Sequence, residues 1–519
     1  MPVNVKALIY VLALSGLVFA LGKGIALHFM EEEDFKRRRN IWLLLSAAAF
    51  LSPSFWLFVL VAVPALYWGG KKDTHPLAFY ILLVNVIPSI PVQIPTAGLG
   101  INQLFPIDIF RLLAFCVLVP TAWRLHKSAD TERSKGFRRL DLLVLGYCIL
   151  KILLYVPPDL PEHIILQNSF TNTLRKTLLI LTDVYVLYYV ASRSASSRRA
   201  IVDALATFCL ACTVMASIAV FESLKHFLLY AVLNVNWGGN PLDMAYLMRG
   251  GLLRAQASSG NALALGYLLA VATGFWLYLK SQLPKSPMKP AVTAILWLGI
   301  LASYSRGPML GAVLIYFAYA AFRPGGVGHL VKSALVFVLV AGVTLASPIG
   351  DKIVNSLPFL GGKLAEGSVT YRELLLERSW VLIKAHPLLG DQLALSHLQD
   401  LRQGQGIIDL VNTYVSITLF CGFTGLAIFL GIILSGIFKA YAGSRIRPAV
   451  TPDWPLLGAA LTACSLGTIL MLADCSFILG YATTFFVLAG LAAGYRKAGA
   501  LAPPAAAVDA SGTASPELT

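Results

Sequence analysis

Between 347 and 409, an otherwise apolar chain carries a long run of residues of the kinds that bind anions and move protons. The run holds Thr370-Tyr371-Arg372-Glu373, then Glu377-Arg378-Ser379-Trp380, then His386-Pro387-Leu388-Leu389-Gly390, and it closes on Arg402 to Asp409 and Asn412-Thr413-Tyr414. Guanidinium forks grip phosphate or carboxylate at two points. Carboxylates and imidazoles beside them serve as general acids and bases. Two further stretches have the same character. Arg249 to Asn261 mixes arginine with glycines and small polar residues, which let backbone approach a ligand closely. Ser303-Tyr304-Ser305-Arg306-Gly307-Pro308 divides about thirty apolar residues, so an arginine stands at a membrane face before a helix start, where backbone amides help hold an anion. The plainer alternatives are a loop anchored by snorkelling arginines for the first and an ordinary helical-hairpin turn for the second.

Metal chemistry finds no support. His386 and His397 are the imidazoles of the long run, His163 and His226 lie in other polar segments, and none has ligand spacing to a carboxylate or a second His. The seven cysteines sit in or beside apolar runs, and Cys209-Leu210-Ala211-Cys212 has no second pair, so small packing residues are expected. Ionisable residues inside apolar runs are few: Asp108 and Arg111, three apart and able to pair, with Lys151, Asp183, Asp203, Glu222 and Asp474.

The elements that must position these residues are membrane helices. Of 519 residues 57% are hydrophobic and 13% charged, with a mean hydropathy of +0.73, far from the balance of a soluble domain. Spans of about 17–25 apolar residues number about fourteen: 7–29, 41–69, 77–93, 107–125, 140–156, 173–192, 200–223, 262–280, 290–304, 307–323, 331–347, 411–438, 454–473 and 477–495. The net charge of +15 comes from Lys and Arg in short loops, a positive-inside signature rather than a nucleic-acid one. Those loops assign the polar segments 157–172, 225–261 and 348–409 to the outer side. Lys36-Arg37-Arg38-Arg39 falls on the wrong side if 41–69 is one helix. Ser52-Pro53-Ser54 interrupts that run, and two short helices would place the N-terminus outside. The first run, about 6–29, shows no cleavage site, and the tail from 499 to 519 is expected to be disordered. Within the long loop, Leu376, Trp380 and Ile383 have helical spacing, and Arg372 extends the same face. That face either lies on the membrane or is a solvated charged surface.

Taken together, these segments resemble the O-antigen ligase/polymerase superfamily of polytopic bacterial membrane glycosyltransferases. The resemblance is carried by Arg254 to Asn261 opening a span, by Ser305-Arg306-Gly307, and by Arg372 followed by Trp380 and His386 to Gly390. Asn412-Thr413-Tyr414 followed by Gly422-Phe423-Thr424-Gly425-Leu426 completes it. The resemblance implies an all-α, GT-C-like helix bundle with one large periplasmic loop in the bacterial inner membrane. It divides the chain into N-terminal helices (1–199), a core (200–440, with loop 348–409), C-terminal helices (441–498) and the tail. It implies metal- and cofactor-independent transfer of a glycan from a polyprenyl diphosphate carrier at the periplasmic face. Arg254, Arg306, Arg372 and Arg378 are then the expected diphosphate ligands, and Asn261, Asn412 and Tyr414 the substrate contacts. A chain-length regulator or flippase is a candidate partner; nucleic acid is not. One departure matters. Family ligases typically carry His directly before the Asn of the span after the loop, and here Val411 stands there. A base would then come from Asp409, His397 or Glu373. This shifts the expectation from ligation toward polymerisation of exopolysaccharide or O-antigen repeats, with ligation and lipid-linked glycan transport as alternatives.

Overall fold

The computed structural model describes residues 1–95, 103–128, 139–155, 170–240, 244–249, 252–346, 366–402, 408–445 and 451–501. The segment 156–169, residues 347–365 and 403–407 of the long polar run, and the tail from 502 lie outside the described residues.

The described chain is almost wholly helical. Its N-terminal part runs through α1 (Val3–Ala26), α2 (Glu32–Leu51), α3 (Phe55–Lys72) and the short α4 (Pro76–Leu83). After a two-stranded ribbon, β1 (Val92–Pro95) and β2 (Gln103–Ile107), come α5 (Ile109–Lys127) and α6 (Arg139–Leu153). Next is α7, built from Phe170–Ile180, Leu181–Val186 and Leu187–Ser194. The central and C-terminal part comprises α8 (Arg198–Lys225), α9 (Ala231–Asn236), α10 (Ala262–Gln282), α11 (Met288–Ala302), α12 (Arg306–Phe322), α13 (Gly326–Ala346), α14 (Glu366–Ala385), α15 (Thr413–Ser444), α16 (Trp454–Leu472) and α17 (Leu479–Leu501). Six of these helices are long and apolar enough to cross a membrane, and three shorter apolar ones accompany them. The last helix ends at Leu501, three residues into the tail expected to be disordered.

The run 41–69 forms two helices. Pro53, which lacks a backbone donor, stands in the break between α2 and α3. Asn4 Nδ2 donates to Phe50 O at 3.3 Å, so the start of α1 meets the end of α2. At the opposite end of the same helices, Arg38 binds Asp73 (2.7 Å) and Asp203 (2.6 Å), and Arg199 binds Glu31. Lys36 to Arg39 therefore lie at the same pole as Lys71-Lys72 and the start of α8. The charge conflict of an undivided helix disappears, and the N-terminus sits at the other pole.

The run 77–93 does not form a spanning helix either. Its helix stops at Leu83, and the chain continues as turns through Pro88 and Pro91 into β1, because proline cannot donate and disfavours helix in the residue before it. Residues 77–88 are buried throughout. His75 Nδ1 lies 2.8 Å from Asp203 at the basic pole. At the far end, Ser258 donates to Asn85 O (2.5 Å) and Ser89 to Asp108 (2.5 Å). Irregular backbone at such depth is tolerated when protein covers it.

The core gathers around α8 and α10, which are buried along nearly their whole length. Small residues let these helices approach closely. A Cβ on Gly299 would lie 2.7 Å from that of Ala216, and one on Gly266 would lie 2.8 Å from that of Pro308. Cys209 and Cys212 are buried packing residues whose thiols face the Ala272 and Leu268 carbonyls of α10.

Candidate functional site

α14 carries Arg372. The stretch 369–386 has no Gly or Pro, so helix continues until Pro387 stops it. Its inward face is Leu375, Ser379 and Ile383, packed with Leu398, Leu401, Leu410 and Leu419 in a small separate core. Leu376 and Trp380, expected with Ile383 on a face that lies on the membrane or is solvated, are 54% and 47% exposed, whereas Ile383 turns inward. The inward face is offset by one residue from theirs because the helix packs on its own loop and on α15.

The motif after α14 has a mechanical role. Gly422 interrupts α15 with φ 62° and ψ −171°, and the backbone groups released there are taken up by the His386–Gly390 turn. Phe423 N donates to Pro387 O (2.8 Å), Thr424 N to Leu388 O (3.3 Å) and Asp391 N to Leu419 O (2.7 Å). Gly390 also has positive φ, 72°, and a Cβ there would meet the Phe420–Cys421 backbone at 2.6 Å. Both glycines are required by backbone contact.

On this mount, Arg372 forms an ion pair with Asp474, just beyond α16. Asp474 in turn lies against the first turn of α12. A Cβ on Gly307 would come 2.5 Å from Asp474 Oδ2, so only glycine admits the carboxylate. Ser305 stands just before that helix without capping its amides through the side chain; its hydroxyl receives Arg254 Nη2 at 3.1 Å, while Arg254 Nε approaches Ser303 O at 3.4 Å. The loop carrying Arg254 is held by buried Glu222, which accepts from Gln256 N (3.0 Å), Ala257 N (2.8 Å) and Leu229 N (3.0 Å). Arg254, Arg306 and Arg372, drawn from three separate segments, thus converge around Ser305, Gly307 and Asp474.

The acidic side of the cluster is built on the 474–476 turn. Ser476 Oγ donates to Asp409 Oδ1 at 2.8 Å, and Thr413 donates to Cys475 O at 2.7 Å. The Tyr371 hydroxyl bridges the Asp409 backbone, donating to its carbonyl (3.2 Å) and accepting from its N–H (3.1 Å). A cavity of about 250 Å³ lies alongside, lined by Arg372, Glu373, Val411, Asn412 and Ala473 among others. Arg372 and Glu373 line this opening, and with the helix start and Arg254, Asp474 and Asp409 beside it they suit an anionic group whose neighbouring atom gains or loses a proton.

Other expected site residues lie elsewhere or are otherwise engaged. Arg378 pairs with Asp400 at 3.2 Å on the exposed side of α14. His397 is exposed, 3.7 Å from Asp391. Asn261 and Asn412 cap α10 and α15, their oxygens accepting Leu263 N and Ala264 N, and Tyr414 N and Val415 N, respectively. The Tyr414 hydroxyl donates to Ile469 O inside the bundle (2.8 Å). Asp474, Ser476 and Tyr371 were not among the expected site residues. The signal for Asp474 was present: it is the one carboxylate between the runs 454–473 and 477–495.

Residues 291–430 match the family described as O-antigen ligase. That match supports the resemblance to the O-antigen ligase/polymerase superfamily. No curated protein matches the chain. The O-antigen ligase match includes Arg306, Arg372, Asp409, Asn412 and the Gly390–Gly422 junction. Arg254 and Asp474, on either side of the matched segment, are joined to it by the contacts above.

Proposed function

We propose that this protein is a metal-independent glycosyltransferase of the bacterial inner membrane that polymerises exopolysaccharide or O-antigen repeats at the periplasmic face, drawing on a polyprenyl-diphosphate-linked glycan. In this reading the bundle is GT-C-like. With 41–69 divided, the expected fourteen crossings become fifteen, counting the broken one. The observation that carries the proposal is the convergence of Arg254, Arg306 and Arg372 at one pole, opposite the basic loops. As the glycosidic oxygen leaves, charge builds on the diphosphate, and guanidinium forks aimed there stabilise it. Asp474 orients Arg372, and the remaining guanidinium donors face the ligand. Asp409 and Glu373, near the same opening, are the base candidates that geometry favours over His397. Val411 lines the cavity at the position of the family histidine and can take no proton, which favours polymerisation.

The family description favours a second reading, ligation of a finished glycan to a lipid or protein acceptor. Reconstitution with a single lipid-linked repeat, without metal or other acceptor, separates the two. A ladder of lengthening glycan is expected. Product appearing only after an acceptor such as lipid A–core is added establishes ligation, and no product under either condition overturns the glycosyltransferase reading.

A further inference from the structure

A second cavity, of about 320 Å³, opens at the same pole as the arginine cluster, and of the site residues expected from the sequence Asn261 lines it. Its volume is at the lower end of small-molecule sites. Its walls come from the irregular half of the broken crossing (Asn85, Ser89), from the turn before α10 (Ser258, Ser259) and from α17 (Thr483, Thr484). Rings of Tyr80, Phe110 and Phe208 complete it. No Asp, Glu, Lys, Arg or His is among the residues that line it.

Three of the lining hydroxyls share a bias. Ser89 gives its proton to Asp108 (2.5 Å), Ser258 to Asn85 O (2.5 Å) and Ser259 to Gln256 O (2.6 Å). A hydroxyl with its proton engaged presents lone pairs. These three hydroxyls therefore accept hydrogen bonds, and the Asp108 carboxylate behind Ser89 is already paired with Arg111 at 3.7 Å, so the cavity wall carries no uncompensated charge. An uncharged ligand rich in O–H donors, with apolar faces for the rings, fits this chemistry; a phosphate, which only accepts, does not.

Two segments run from this cavity into the arginine cluster. One passes from Arg254 to Ser258 and Ser259, the other from Asp474 and Ser476 to Ile478 and Gly480. We propose that the cavity is a subsite for an uncharged sugar unit of the glycan, distinct from the anion site beside it. This deepens the glycosyltransferase reading and rests on it.

Saturation-transfer NMR on the full-length protein in nanodiscs tests the subsite without turnover. The probes are methyl glycosides of glucose, galactose, mannose, rhamnose and N-acetylglucosamine, with inorganic pyrophosphate as the anion. Transfer to at least one glycoside is expected. It should be lost in Thr483→Trp, which fills the cavity, and weakened about tenfold in Ser259→Ala, the ratio for one or two lost hydrogen bonds. It should persist in Arg372→Ala and in the presence of pyrophosphate. Thermal melting checks that each variant is folded, and Ser259→Ala, close in volume, decides if Thr483→Trp is not. No transfer to any glycoside, or transfer unchanged in the folded cavity variants, overturns the subsite. Glycoside transfer that survives while pyrophosphate fails to bind would instead count against the diphosphate reading alone.

Discussion

Arg372 has five N–H donors and, among the described residues, one ion-pair partner, Asp474; its side chain is 39% exposed. That leaves an oriented fork facing the opening. Arg372→Ala is expected to lower turnover of reconstituted protein by about 10²–10³, the usual loss for one preorganised donor to developing charge. Arg372→Lys should recover little, because an ammonium keeps the charge but not the two-point geometry. Wild-type rates in the lysine variant would remove Arg372 from the clamp. The base is separable by pH. Asp409→Asn should flatten the acidic limb of the rate profile if Asp409 takes the proton, while an unchanged limb there and a flattened one in Glu373→Gln would move the role to Glu373. At this scale the sequence was informative about residue type and less so about use. The arginines were legible because a guanidinium is rare in an apolar chain. Asn261 and Asn412 were read as ligand contacts; both cap helices through Oδ1, since an Asn before a span satisfies amides that the helix leaves open, and each also lines a cavity.

The element that positions the site is α14, and what holds it is the interlock of the His386–Gly390 turn with the break in α15. The helix touches the bundle through a small core and through backbone hydrogen bonds that exist only because α15 opens at Gly422. Gly422→Ala places a side chain where Leu388 backbone lies and holds it at φ 62°. The backbone term alone, for a conformation at φ 62° and ψ −171° that almost only glycine adopts, costs about 1–3 kcal/mol, and the overlap adds to it. The expected result is a lower melting temperature in detergent together with loss of transfer, and faster proteolysis within 366–402 than elsewhere. A variant that melts like the wild type and keeps its activity would show that the interlock does not hold the site. The motif was visible in the sequence as spaced glycines. Its purpose was not, because the two halves are about thirty residues apart and meet only through tertiary contact.

Across the whole molecule, charge at the basic pole ties distant helices together. Arg38 is 1% exposed and bound to both Asp73 and Asp203, which links α2, α3 and α8. Removing it strands two buried carboxylates, so Arg38→Ala should cost about 3–5 kcal/mol, read as a drop in melting temperature. Arg198, whose side chain is 35% exposed, binds Asp453. Burial opposes ionisation of Asp453, yet hydrogen bonds from Arg198 and Tyr278 outweigh it and hold the carboxyl below its usual range. Arg198→Ala should nevertheless cost only about 1 kcal/mol or less, as for a solvent-screened pair. Equal losses in the two variants would contradict this ranking of burial. The same pole fixes topology. With membrane-impermeant thiol reagents, Val3→Cys should be labelled from outside intact spheroplasts and Glu33→Cys only after permeabilisation; the reverse pattern would invert the orientation.

By itself, the sequence determined the membrane bundle, the pole that carries the basic loops and the arginines of the candidate site. Each of these is local: hydropathy over one span, charge in one loop, a polar residue in an apolar run. The breaks in 41–69 and 77–93 are local as well, at Pro53 and before Pro88. Tertiary structure alone decided that Asp474 stands between Arg372 and Gly307, that the 386–390 turn interlocks with the break at Gly422, and that an uncharged cavity adjoins the cluster. Those facts depend on which surfaces meet, and pairings between residues tens to hundreds of positions apart leave no periodicity in the chain to read.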